Sequence, residues 1–257
     1  MFCDAHVHVG YYSRNGHADP FYYSPRQIVG VLNRCGVDEF IISSTCAQVE
    51  GIGIADIVRE AREVKRLAGQ RAHIFFWLSG HLYDDDPEMR WLDLGLFEGF
   101  KMHEGETAWM QRRQKDMRRI MSVADERGLP VMVHAGTVAG CRPSELAKLA
   151  RDFPSIRFNF AHCRPMAEMA KVIAECPNVW TDTAYMAFDE FQRLRDHDWH
   201  GRLMFGSDLP VWQAHENSGL TMRYRKSIQR FYSIWRFDMP DFAFRKYLSQ
   251  TYKEGLR

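Results

Sequence analysis

The feature that most constrains this chain is a repeat. Eight short β-rich segments recur, each followed by a stretch whose apolar residues return every three or four positions. The segments begin near Cys3, Asp38, Arg71, Leu96, Leu129, Ile156, Asn178 and Arg202. They are spaced roughly 22–35 residues apart, more than the ten to twelve that a βαβ crossover needs. Strand and helix patterns alternating at this spacing predict a parallel sheet with helices on its outside. The length of 257 residues suits one closed eight-fold barrel, which routinely uses about 250 residues as a single unit. The expected architecture is therefore α/β, a TIM-type (β/α)8 barrel spanning residues 1–257 as one domain.

The helical stretches carry their own punctuation. Ser24-Pro25 reads as an N-cap with proline at the first helical position, opening a helix through Asn33 that stops before Gly36. From Gly53 to Leu67, apolar Ile54, Ile57, Val58, Ala61, Val64 and Leu67 form one stripe, ending at Gly69. A third helix is expected over Thr107–Arg127, and others from Pro143, Pro165 and Met186. Two more follow the last strand, at Leu220–Trp235 and Asp241–Tyr252. The first of these is dense in cations (Arg223, Arg225, Lys226, Arg230) and reads as a closing amphipathic helix with a solvated face.

Charge and cysteine content exclude several function classes. With 34 Lys+Arg against 33 Asp+Glu the net charge is +1, which provides no electrostatic footprint for nucleic acid or an anionic membrane. The longest apolar run, Ile74 to Leu78, is far shorter than the roughly 20 residues of a membrane span. No basic segment precedes an apolar one at Met1-Phe2-Cys3-Asp4, so the cytoplasm is the expected location. The six cysteines are dispersed without a CxxC pair, and are expected as reduced packing thiols, Cys163 included. The partner expected is a small-molecule substrate; a homo-oligomer remains open.

The chemistry gathers at strand ends. In Asp4-Ala5-His6-Val7-His8 the two-residue period puts Asp4, His6 and His8 on one face and Ala5, Val7 and Val9 on the other. The two imidazoles, about 6.6 Å apart along a strand, can lean onto one ion. The fifth segment ends in His134, the sixth in His162 and the eighth in Asp208. A barrel brings these ends to one rim, where catalytic groups of this architecture sit. His6, His8, His134, His162 and Asp208 then surround one cavity with imidazole and carboxylate donors suited to Zn²⁺ or another first-row divalent ion.

In this order DAHVH, GFKMHEG, VMVHAG, NFAHC and FGSDLP resemble the amidohydrolase superfamily, most closely its amidohydrolase-related (amidohydrolase 2) branch of metal-dependent hydrolases and decarboxylases. The resemblance implies a distorted barrel, His6 and His8 as ligands of the first metal, and Asp208 as both ligand and proton acceptor. It implies that His134 either completes a one-ion site or, with His162, holds a second ion. Lys101 on the fourth strand could bridge two ions only if carbamylated; the reading adopted is one tightly bound ion, with Lys101 an unmodified cation for a substrate carboxylate or developing oxyanion. The expected reaction is hydrolysis of an ester, lactone or amide through activated water, with Asp208 moving the proton and the ion or His162 polarising the carbonyl.

His103 and Glu104, Arg142 in the loop after the fifth strand and Arg164 after the sixth are the substrate-binding candidates, since arginine grips carboxylates bidentately. The aromatic loop Gly10–Tyr23 reads as a lid. A decarboxylase on the same site is the alternative. A TatD-like nuclease is disfavoured by GFKMHEG, by FGSDLP and by the neutral charge. A non-catalytic metal- or metabolite-binding barrel is the reading from another class; an open coordination position separates it from an enzyme.

Overall fold

A computed structural model of the chain describes residues 1–12, 21–103, 113–211, 219–232 and 238–249. The expected repeat is present. Strands β1 (Cys3–Tyr12), β3 (Glu39–Ser44), β4 (Ala72–Trp77), β5 (Gly99–Met102), β6 (Val131–His134), β7 (Phe158–Ala161), β8 (Val179–Asp182) and β9 (Leu203–Met204) pair in parallel in chain order. The segment β2 (Phe21–Tyr23), inside the loop expected after the first strand, pairs antiparallel with the end of β1. Backbone bonds join the first strand to the last: Ala5 N to Phe205 O (2.7 Å), Asp208 N to His6 O (2.9 Å) and His8 N to Leu209 O (2.7 Å). The curled sheet is a distorted β/α barrel.

Helices α1 (Pro25–Arg34), α2 (Ile54–Ala68), α3 (Gly80–Asp85), α4 (Gln114–Glu126), α5 (Pro143–Asp152), α6 (Met166–Glu175) and α7 (Phe188–Arg193) follow successive strands. α1 opens as its sequence predicts: Ser24 Oγ accepts from Gln27 N, and the Gln27 side chain accepts from Ser24 N. The last two, α8 (Leu220–Tyr232) and α9 (Asp238–Leu248), close the chain. On α8, Tyr224 and Phe231 are fully buried while Arg225 and Lys226 stay exposed, the amphipathic arrangement expected there. Among the described residues no helix is long and apolar enough to cross a membrane, and all six cysteines are free thiols.

One expectation fails at β1. Its register against β3 shifts between Asp4 and Val7, a bulge that breaks the simple alternation. Ala5 then joins Cys3 in the cluster of Ile41, Phe75, Met132, Trp180 and Met204, which fills the N-terminal part of the barrel interior. Val7 and Val9 pack in the larger cluster between sheet and helices. Asp4 does not share a site with His6 and His8. Its carboxylate accepts from Ser207 N (3.0 Å) and from the Tyr224 hydroxyl (2.7 Å) on α8. Two glycines make room within the interior. A Cβ at Gly99 would lie 2.7 Å from the Phe75 ring and from Pro130 O, and one at Gly206 3.0 Å from His6 Cβ and 3.1 Å from Asp182 Cβ.

Candidate active site

At the C-terminal end of the strands a cavity of about 170 Å³ is lined by His6, His8, Thr45, Gln48, Trp77, Lys101, His103, His134, His162, Arg164, Tyr185, Asp208 and Val211. It gathers side chains from all eight parallel strands or the residues that follow them. A larger surface groove of about 280 Å³ between α4 and α5 contains none of these residues.

His6 and His8 stand on β1, 1% and 2% exposed. His6 Nδ1 lies 3.2 Å from Asp182 Oδ2, and His8 Nδ1 lies 3.0 Å from Ser43 Oγ. Both rings therefore turn Nε2 toward Asp208, whose Oδ1 is 3.7 Å from His6 Nε2 and 3.1 Å from His8 Nε2. Asp208 reaches this position through a left-handed backbone (φ 55°), as does His162 (φ 74°). Non-glycine residues rarely adopt this conformation, and it collects at functional sites. Lys101, 1% exposed, places Nζ 3.1 Å from His6 Nε2 and 5.5 Å from the centre of the Trp77 ring. His134 Nδ1 and His162 Nε2 are 3.0 Å apart, and the His103 ring lies 4.4 Å from that of His134. The Arg164 guanidinium sits 5.2 Å from the centre of the Tyr185 ring.

Burial sets the charge states. It pushes His8 down to about 4 and His103 to about 3, and holds His134 and His162 well below the usual imidazole range, aided by neighbouring positive charge. These rings are neutral near pH 7, the form in which an imidazole binds metal. Burial works the other way on Asp208, but the His8 hydrogen bond and neighbouring positive charge, Lys101 included, hold its carboxyl below the ordinary carboxylate range. Asp182 is held down similarly against its burial, first by His6.

The donor set fits a divalent ion. Ligand atoms of His6, His8 and Asp208 lie within 4.8 Å of one another, with Nδ1 of each imidazole engaged by Asp182 or Ser43. Outer hydrogen bonds of this kind orient metal-binding histidines. His6, His162 and Asp182 also lie within 4.8 Å of one another, but their hydrogen bonds run between themselves and to Lys101, His134, Asn159 and Ala184.

Of the residues expected at the site, His6, His8, Lys101, His103, His134, His162, Arg164 and Asp208 line the cavity. Arg142 does not: its guanidinium bonds the Glu168 carboxylate at 2.6 Å, and its backbone caps α5. Glu104 and residues 13–20 of the expected lid lie outside the described residues. Asp182, Ser43, Trp77 and Tyr185 were not singled out from sequence. Asp182 ends its strand with a carboxylate just as the eighth segment does, a signal that was present in NVWTDT.

A family model described as amidohydrolase matches residues 3–220. No curated protein matches the chain. Among solved structures, the chain is similar to a protein described as a probable 2-pyrone-4,6-dicarboxylic acid hydrolase from Acinetobacter baumannii with citric acid bound. The two share 12% identity, with 96% of this chain and 98% of the other covered and a TM-score of 0.63. It is also similar to 4-oxalomesaconate hydratase from Rhodopseudomonas palustris (13% identity, 100% and 98% covered, TM-score 0.64). A third similar structure is IDCase from Metarhizium anisopliae in its apo form (13% identity, 97% of each chain covered, TM-score 0.59).

Proposed function

The chain belongs to the amidohydrolase family and is an enzyme, and on that premise we propose that it is a metal-dependent hydrolase of small carbonyl compounds (esters, lactones or amides) that carry a carboxylate. The convergence of His6 Nε2, His8 Nε2 and Asp208 Oδ1 is the observation that carries this reading. His134 is the further imidazole available to the same ion, and Zn²⁺ suits this mixture of nitrogen and oxygen donors. Such an ion would lower the pKa of a water and polarise the substrate carbonyl. Asp208 is already anionic, and both of its imidazole contacts run through Oδ1. Its Oδ2 accepts the proton of the attacking water and returns it to the leaving group.

The cations define the substrate end. Lys101 Nζ beside His6, and Arg164 braced on Tyr185, put positive charge on a cavity whose buried histidines are neutral. An anionic substrate of a few heavy atoms across suits that charge and a volume of about 170 Å³. A carboxylate held on the same cations next to the ion also suits decarboxylation, which is the second reading.

The test is elemental analysis of the purified protein together with a panel of carboxylated esters, lactones and amides, read by product formation and by CO2 release. Wild type is expected to carry one divalent ion per chain and His6→Ala none, with product formed by hydrolysis. A metal-free wild type that still turns over a panel member overturns the metal-dependent reading. CO2 release without hydrolysis selects the second one.

A further inference from the structure

Asp182 is fully buried at the end of β8, and every lone-pair direction of its carboxylate is used. Oδ2 accepts from Asn159 Nδ2 at 2.7 Å and lies 3.2 Å from His6 Nδ1. Oδ1 accepts the backbone N–H groups of His162 (3.1 Å) and Ala184 (3.0 Å). An ionised carboxylate only accepts, so the hydrogen shared with His6 belongs to Nδ1 of the ring. The ring's lone pair is then on Nε2, the atom that meets the Lys101 Nζ donor and faces Asp208.

The same logic passes through Ala184. Its amide is held by Asp182, and its carbonyl lies 3.0 Å from His162 Nδ1. A carbonyl also only accepts, so His162 carries its hydrogen on Nδ1 and its Nε2 is an acceptor. His134 Nδ1, 3.0 Å from that Nε2, must then donate, which leaves the His134 lone pair on Nε2.

We infer that Asp182 is a positioning residue that sets the tautomers of three histidines on three strands: His6 directly, and His162 and His134 through the Ala184 peptide. A metal ligand must offer a lone pair, and the wrong tautomer points an N–H at the ion. In this arrangement both nitrogens of His162 are engaged within the protein. His162 thereby orders His134, whose Nε2 keeps the lone pair that an ion would need. The tautomer assignment stands on hydrogen bonds alone; only its consequence for the ion rests on the function proposed above.

The direct test is long-range ¹H–¹⁵N correlation of the histidine rings in the full-length, metal-free protein near pH 7. His6, His134 and His162 are each expected with hydrogen on Nδ1 and a bare Nε2. A hydrogen on Nε2 of His6 or of His162 overturns the inference. Because this uses wild type, it holds even if every substitution at 182 fails to fold. A protein found metal-free as purified would overturn the proposed function and leave this map untouched.

Asp182→Asn provides the second arm. The backbone donors of His162 and Ala184 cannot change, so the new amide oxygen must face them and its NH2 must face Asn159 and His6. Asn159 can turn over to receive it, since its Oδ1 has no partner. His6 can receive it only by moving its own hydrogen to Nε2. The variant is expected to show that tautomer and to bind Co²⁺ about 10–100-fold more weakly, the usual loss when the outer partner of a metal-binding histidine is changed. An unchanged His6 tautomer with unchanged Co²⁺ affinity in a folded Asp182→Asn protein overturns the inference.

Discussion

At the N-terminal end of the barrel interior, Ile41, Phe75, Met132, Trp180 and Met204 meet Phe244 and Tyr247 of α9 in an apolar plug. Two residues further along the same strands, on the same face, stand Ser43, Trp77, His134, Asp182 and Gly206, with Lys101 two positions beyond Gly99. One end is sealed by packing and the other holds a lattice of buried polar groups. The strands are shared, so distance along the strand decides which role a residue has. Burying apolar area stabilises at about 25 cal/mol per Å², whereas burying an imidazole or carboxylate costs free energy unless each polar atom finds a partner. The closed end supports an open end whose composition is set by chemistry.

The sharpest way to break this division is a substitution that removes function and leaves stability. Asp208→Asn is expected to lower turnover by about 10²–10⁴-fold, the range for losing a positioned acid–base group, with the thermal midpoint close to wild type. Activity assays beside thermal unfolding check it. At the other end, Phe75→Ala should cost about 3–5 kcal/mol of stability, measured by chemical denaturation, with turnover per folded molecule unchanged. If Phe75→Ala changed turnover as strongly as Asp208→Asn, the two ends would not be separable.

Acid should unfold the protein through its polar end. The histidines are held below the unfolded value near 6.5, His8 at about 4 and His103 at about 3. Below pH 6.5 the unfolded chain binds protons that the folded one refuses, so stability falls as pH drops from 6.5 toward 4. Each such imidazole contributes up to about 1.4 kcal/mol per pH unit. Asp4 opposes this, because burial raises its carboxyl to about 6 and the folded state keeps that proton between pH 4 and 6. One carboxyl against four imidazoles leaves the net slope downward on acidification, which denaturation of metal-free protein at pH 7, 6 and 5 measures.

Gly206→Ala probes where packing and chemistry meet. The added Cβ would press on His6 and Asp182, at an expected cost of about 1–3 kcal/mol together with weakened Co²⁺ binding. The smallest effect is expected at Arg142→Ala, which removes an exposed pair with Glu168 and should change stability by less than about 1 kcal/mol and turnover not at all. A large loss of turnover there would return Arg142 to the substrate.

Much of the barrel was legible because its signals are local. Each expected strand start falls within three residues of the observed one, since apolar runs, caps and terminal glycines act over a single turn or strand. The short strand Phe21–Tyr23 was read as loop, because three aromatic residues are too few to show alternation. The histidines and Asp208 were legible as residue types at strand ends. Arg142 was not placed correctly by its neighbourhood in sequence, since Glu168, 26 residues away, holds it.

By itself the sequence determined the order of strands and helices, the residue types delivered to the C-terminal rim and a net charge close to zero. Tertiary structure decided how those residues face one another. The bulge in β1 sends Asp4 toward α8 and puts Ala5 in the apolar plug, against the alternation of its own strand. The partner of His6 is Asp182, 176 residues away, and the partner of His8 is Ser43, 35 residues away. Periodicity reports only which face a residue occupies within one element. Which nitrogen an imidazole offers depends on acceptors that the closed barrel brings from other strands.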